Sequence, residues 1–245
     1  MTLRAVGKLA WFAAQTAVNV ADYFFRTACV AQNSRRAARA AWLQRATRRH
    51  LKIFNFKAEV SGPVPADGLI VSNHLSYLDI LVLASVTPAV FVSKADVRRW
   101  PVFGWLAALG GTVFIERERH THVGVVNREI ADALADGVPV VVFPEGTSSD
   151  GQTILPFRSS LLEPVAGGVH GITTSWIHYT LGDGDAGQEI CYWGDHSFFP
   201  HLLNLLDKQS IRAQVCFGKF ERTTADRKEL ARQLQAAVEK LKAEN

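Results

Sequence analysis

From residue 57 onward, short β-branched apolar runs alternate with longer helical ones, and this rhythm confines the chain to an α/β architecture. Strand-like runs fall at 69–72, 90–93, 112–116, 139–143, 171–177, 189–192 and 212–217, and helical periodicity occupies 76–86, 101–109, 122–136, 196–207 and 225–243. Strands that take turns with helices pack as one sheet with helices against its faces. The expectation is therefore a mixed, largely parallel sheet flanked by helices, with functional turns at the strand ends. A chain of 245 residues, 48% of them hydrophobic, can bury a substantial core.

Three strand ends carry polar groups. After Gly68-Leu69-Ile70-Val71, preceded by Pro63 and Pro65, the sequence reads Ser72-Asn73-His74-Leu75-Ser76-Tyr77-Leu78-Asp79. A spacing of five residues in one helix puts side chains about 140° apart, so His74 meets Asp79 only if it lies in the strand-to-helix turn. Ser76 is the expected helix cap. Histidine is largely neutral near pH 7, and a carboxylate on one ring nitrogen fixes the tautomer that leaves the other basic. The pair has the makings of a general base with its orienting partner; the plainer reading is a surface histidine beside an ordinary first-turn acid. Gly110-Gly111-Thr112-Val113-Phe114-Ile115-Glu116-Arg117 ends in a guanidinium, and Val140-Val141-Val142-Phe143-Pro144-Glu145-Gly146-Thr147-Ser148 ends in a proline-glycine turn.

Taken in order, Asn73-His74-x4-Asp79, Gly111-x2-Phe114-Ile115-x-Arg117 and Phe143-Pro144-Glu145-Gly146-Thr147-Ser148 resemble the glycerolipid or lysophospholipid acyltransferases typified by 1-acylglycerol-3-phosphate acyltransferase. The stretch from Ser93-Lys94 through Trp100-Pro101-Val102-Phe103-Gly104 is similar as well, and the resemblance covers roughly residues 57–220. It implies that His74 is a general base toward an acceptor hydroxyl attacking the thioester of acyl-CoA or acyl carrier protein, with Asp79 stabilising the imidazolium. Transfer is then direct, with no covalent acyl-enzyme, no metal and no cofactor beyond the thioester co-substrate. The resemblance makes Arg117, Glu145, Gly146 and Thr147 acceptor-binding elements. A guanidinium fork matches a phosphate, Gly146 admits close backbone approach and Thr147 adds a hydroxyl. Glu145 suits a supporting role, fixing the turn or orienting Arg117. Backbone amides near His74 or Gly146 are the candidates for an oxyanion hole.

The resemblance makes 1-acylglycerol-3-phosphate the expected acceptor and phosphatidic acid the product. Two departures bear on that. In Phe157-Arg158-Ser159-Ser160, Ser160 stands where the family usually has glycine, and Gly171-Ile172-Thr173-Thr174-Ser175-Trp176-Ile177 lacks the usual proline. Lyso-ornithine lipid or another lyso-lipid is the alternative acceptor, and Arg158 is either a partner for an acidic head group or a solvated arginine. A serine hydrolase would need a Gly-x-Ser-x-Gly elbow, and Gly146-Thr147-Ser148-Ser149-Asp150 lacks the last glycine. A non-catalytic membrane-lipid-binding protein is the reading from another class, although such a protein has no chemical use for the His74 and Asp79 pair.

Charge is unevenly spread. Residues 1–57 hold eleven Lys and Arg against Asp22 alone, and residues 58–245 hold sixteen against twenty-two acids, giving +10 and −6 within a net +4. Residues 3 to about 30 read as one helix with a polar stripe of Arg4, Lys8, Gln15, Asn19, Asp22 and Arg26. The stripe interrupts what would otherwise approach the roughly 20 apolar residues of a span, so a helix lying in one leaflet is favoured over a transmembrane one, the plainer reading being a helix packed on the protein's own core. A signal peptide fits poorly. Residues 33–52 bring Arg35, Arg36, Arg39, Arg45, Arg48, Arg49 and Lys52, a basic helix suited to anionic lipid head groups; with no nucleic-acid-binding motif, nucleic acid is not the expected partner. The division is thus a membrane-associating helical hairpin at 1–57 and a catalytic domain at 58–245, peripheral or monotopic on the cytoplasmic face of the membrane. Cys29, Cys191 and Cys216 have no metal-ligand spacing. They suit a reducing cytosol, and His120 and His122 read as part of a solvated loop.

Overall fold

The computed structural model describes residues 2–27, 29–116 and 120–245. Seven strands, β1 (Phe56–Ser61), β2 (Leu69–Ser72), β3 (Val90–Lys94), β4 (Val113–Ile115), β5 (Val140–Val142), β6 (Ile172–Leu181) and β7 (Ile211–Phe220), form one sheet in the order β1-β7-β6-β2-β5-β3-β4. Every pairing is parallel except β6 against β7. The mixed, largely parallel sheet is the one anticipated. Between and around the strands lie α1 (Leu3–Thr27), α2 (Arg35–Ile53), α3 (Leu78–Val86), α4 (Phe103–Leu109), α5 (His120–Ala135), α6 (Glu163–Ala166), α7 (Ala186–Glu189), α8 (Phe198–Asp207) and α9 (Arg227–Glu244).

Strand side chains alternate between two faces, and the core divides accordingly. Ile70, Phe91, Val141, Ile177 and Tyr179 pack with α1, α2, α3 and α8, while Leu69, Val71, Val90, Val140 and Val142 pack with α5, α6 and α9. Burial on both faces explains why β2 and β5 read as unbroken apolar runs rather than alternating ones.

Two expectations are corrected. Residues 189–192 form no strand, because Asp185 accepts a hydrogen bond from the Gly187 amide (2.8 Å) and caps α7 instead. Strand β1 escaped the sequence reading because it is an edge strand whose residues after Phe56 are all exposed, leaving little apolar signal; its parallel register with β7 holds it.

The N-terminal helices turn their polar groups inward. Helix α2 runs back along α1, with His50 stacked on Phe12 (4.7 Å between ring centroids) and Trp42 edge-on to Tyr23. Trp42 Nε1 donates to the Asn19 carbonyl (2.7 Å), Arg49 to Asn19 Oδ1 (2.9 Å), and Asp22 pairs with Arg26, Arg45 and Arg49. Burial pushes the His50 imidazole down to about 4, so it is neutral in that interface. Asn19 and Asp22 of the stripe therefore face α2, Arg4 and Lys8 reach the backbone carbonyls of Asp207 and Lys208 at the end of α8, and Leu3, Val6, Trp11, Val18, Phe24 and Phe25 are left exposed.

The arginines of α2 also differ from the expected lipid-facing row. Arg39 donates to the carbonyls of Ala108 and Leu109 at the end of α4, and Arg48 Nε to Ser85 O (2.7 Å) at the end of α3. Cations at helix C-termini satisfy orphan carbonyls and the negative end of the dipole. Arg36 pairs with Asp136. The basic run of the sequence is in large part structural cement between helices, with Arg35 and Lys52 remaining exposed.

Candidate active site

Strand β2 stops at Ser72 because the next side chain takes over its ladder. Asn73 donates from Nδ2 to Ile177 O (3.0 Å) and accepts from the Ile177 amide at Oδ1 (2.8 Å), so the backbone is free to turn. His74 lies in that turn and α3 follows, as the five-residue spacing required. Ser76 does not cap the helix. The carboxylate of Asp79, wholly buried, takes the loop's amides instead: Oδ2 accepts from Leu75 N (2.7 Å) and Ser76 N (3.1 Å) as well as from His74 Nδ1 (2.7 Å), and Oδ1 accepts from the Tyr179 hydroxyl (2.7 Å). With Nδ1 donating to a carboxylate, Nε2 carries the free lone pair. The imidazole, 20% exposed, stacks on Phe143 at the end of β5 (4.2 Å between centroids).

The backbone around His74 is held from three sides. Its amide donates to Glu145 Oε1 (2.8 Å), its carbonyl accepts from Ser149 N (3.0 Å), and the neighbouring Leu75 carbonyl accepts from Tyr192 N (2.8 Å). Glu145 Oε2 also accepts from Leu155 N (3.1 Å). Glu145 thus ties the catalytic turn to the turn after β5 rather than facing a ligand. Burial raises its carboxyl to about 7 against the opposing pull of those two amide donors.

Gly146 has φ +79°, a conformation that glycine adopts without strain, and this turn swings Thr147 out to the surface. The Gly146 amide donates to Phe143 O (3.1 Å) and the His74 amide to Glu145, which removes both from the candidates for an oxyanion hole. Gly146 and Thr147 share one groove with His74, walled by Lys94, Trp100 and Tyr192. Tyr77, Ile80, Val97 and Trp100 are common to that groove and to an apolar pocket reaching beneath α2 to Trp42, Leu43 and Ala46. A second cleft shares Phe143 and Gly146 with the groove and carries Arg158 and Ser160.

The structure therefore brings His74, Asp79, Glu145, Gly146 and Thr147 together, with Arg158 exposed in the adjoining cleft. Arg117 lies outside the described residues. His120 opens α5 rather than lying in a loop. Among the described residues, no group of three or more His, Cys, Asp and Glu side chains is placed to hold a metal ion.

Residues 55–173 match the sequence profile of the family described as Acyltransferase. A lyso-ornithine lipid O-acyltransferase of Rhizobium meliloti (strain 1021) is 39% identical over 188 residues, a stretch spanning 71% of this chain and 64% of that protein. One of Brucella abortus (strain 2308) is 35% identical over 206 residues, spanning 78% of this chain and 77% of the other. The chain belongs to the acyltransferase family. It is an O-acyltransferase of the kind that acts on lyso-lipids, and the ordered blocks quoted above lie within or beside the profile match. The fold agrees: the crystal structure of the 1-acyl-sn-glycerophosphate (LPA) acyltransferase PlsC from Thermotoga maritima superposes with a TM-score of 0.65 at 20% identity, over 98% of each chain.

Proposed function

We propose that this acyltransferase moves a fatty acyl group from an acyl thioester to the hydroxyl of lyso-ornithine lipid. The chemistry rests on the His74 Nδ1 to Asp79 Oδ2 contact of 2.7 Å in a groove continuous with an apolar pocket. His74 Nε2 takes the hydroxyl proton as the acceptor oxygen attacks the thioester carbonyl. The tetrahedral intermediate then collapses with cleavage of the C–S bond, and the imidazolium returns the proton to the departing thiolate. The products are an ester and a free thiol. The apolar pocket beneath α2 suits the acyl chain.

The acceptor is argued from the two relatives above, which match this chain over 71% and 78% of its length and whose names specify lyso-ornithine lipid. This reading displaces 1-acylglycerol-3-phosphate, expected from the motif blocks alone, as the preferred acceptor. Purified protein in lipid micelles, offered lyso-ornithine lipid, lysophosphatidic acid and lysophosphatidylcholine in parallel with a labelled thioester, decides between them. Acylation of lyso-ornithine lipid at a rate at least tenfold above the others is the expected result; preferential formation of phosphatidic acid overturns the assignment.

We infer further that α1 lies in one leaflet of a membrane. Among the described residues no helix is long and apolar enough to cross one, yet α1 presents Phe24 and Phe25 at 58% and 86% exposure while Asn19 and Asp22 are turned to α2 and Lys8 to the end of α8. An inside-out helix of this kind meets its solvent preference in an interface. Burying a phenylalanine contributes about 1.5–3 kcal/mol, so changing both Phe24 and Phe25 to serine is expected to weaken partition into vesicles by about 10²-fold or more. Unchanged co-sedimentation with vesicles would remove α1 as the anchor.

A further inference from the structure

Asp79 has one partner that lies a hundred residues away in sequence and touches no part of the groove. The Tyr179 hydroxyl donates to Oδ1 at 2.7 Å, on the side of the carboxylate opposite His74. We propose that Tyr179 is a positioning residue of the acyl transfer, acting on His74 through Asp79 by fixing the carboxylate and drawing part of its charge. This inference rests on the reading of His74 as the general base.

The tyrosine is enclosed by the core. Its side chain is 1% exposed, packed edge-on against Phe56 (6.2 Å between centroids), on a strand paired through Ala213 to β7. Two residues earlier on β6, Ile177 is clasped on both sides by Asn73, so the strand bearing Tyr179 is registered directly against the catalytic turn. The phenol stays neutral because burial, and then Asp79, disfavour its anion. A neutral O–H donor in this place offsets the desolvation of Oδ1 in the wholly buried Asp79 carboxylate. The other titratable groups around the pair are Glu145, bonded to the His74 amide, and Cys191, whose thiol burial pushes up to about 12, so it is also neutral.

Without the hydroxyl, Oδ1 is an unpaired buried acceptor, and the carboxylate, still tied at Oδ2 by the Leu75 and Ser76 amides, loses the contact that fixes its tilt toward Nδ1. Misplacement on that scale costs about 10–100-fold in rate. For Tyr179→Phe the expected result is a fall of that size in kcat, with KM for acceptor and thioester within about twofold, since the hydroxyl touches neither substrate. The carboxylate also loses the donor that drew off part of its charge and favours the imidazolium more strongly, so the acid limb of the kcat–pH profile moves to higher pH. Site-specific 3-fluorotyrosine at 179, a stronger donor of nearly the same shape, moves it to lower pH. Because Tyr179 acts through Asp79, Tyr179→Phe adds little to the defect of Asp79→Asn, a non-additivity that a general loss of packing would not produce.

If His74→Ala retains transfer, the reading of the site fails as a whole. If His74→Ala is inactive but Tyr179→Phe keeps wild-type kcat and an unmoved acid limb, the inference about Tyr179 alone is overturned. Should Tyr179→Phe fold poorly, the fluorotyrosine protein carries the test, and an unmoved limb there overturns it equally.

Discussion

Replacing His74 by alanine is expected to lower kcat for lyso-lipid acylation by about 10³–10⁴-fold, the upper part of the range for loss of a general base, while vesicle binding is unchanged. The acceptor hydroxyl is a poor nucleophile until its proton has somewhere to go, and among the described residues the His74 groove contains no second imidazole. The fold survives because the turn is held by the backbone of His74, not its ring: the amide is on Glu145 and the carbonyl on Ser149. Asp79 keeps the Leu75, Ser76 and Tyr179 donors. Loss of the ring's stack on Phe143 at a partly exposed position is expected to cost less than about 2 kcal/mol of stability. Single-turnover transfer and vesicle co-sedimentation on the same preparation check both halves. A protein that only binds lipid would show no transfer even as the wild type, and transfer retained by His74→Ala would sink the catalytic reading of His74.

Much of this site was legible because its chemistry is local. His74 and Asp79 lie five residues apart, and a spacing incompatible with one helix forces the turn that the structure contains. Gly146 announced a turn for the same kind of reason. What the sequence hid is whatever depends on strand order. Tyr179 reaches Asp79 only because β6 lies beside β2, and the clasp of Asn73 on Ile177 depends on the same neighbours; an inward tyrosine on an apolar strand otherwise reads as core. Strand β1 was hidden because an edge strand needs no apolar alternation. The charge of α2 misled in the opposite direction. A row of arginines is recognisable as a basic face, but whether it meets lipid or the carbonyl ends of α3 and α4 depends on packing that no periodicity reports.

The second large effect is expected at Asp79, where asparagine removes the charge without removing the scaffold. An amide has one oxygen, and Oδ2 is the position that three N–H groups require, so the oxygen is expected to stay there. The amide nitrogen then faces Tyr179, whose hydroxyl can rotate to accept. His74 keeps its orientation and its tautomer, but the imidazolium formed during attack loses its counter-charge. A fall in kcat of up to about 10⁴-fold follows, the upper bound being the loss seen when a comparable pair is neutralised and the tautomer is lost as well. The acid limb of the kcat–pH profile moves to lower pH, opposite to Tyr179→Phe, because a neutral partner no longer favours the protonated ring. Burial raises the Glu145 carboxyl to about 7, so the informative quantity is the displacement between variants rather than any absolute position. Raising the pH is not expected to rescue Asp79→Asn, since the missing charge is needed only in the transition state. Asp79→Ala is a different experiment. It strands the Leu75, Ser76 and Tyr179 donors in a wholly buried site at about 1–3 kcal/mol each, and the protein is expected to unfold at markedly lower urea concentration than Asp79→Asn. If Asp79→Asn kept wild-type kcat while Asp79→Ala lost both stability and transfer, Asp79 would be serving as a structural anchor for the turn and its charge would have no part in the transfer.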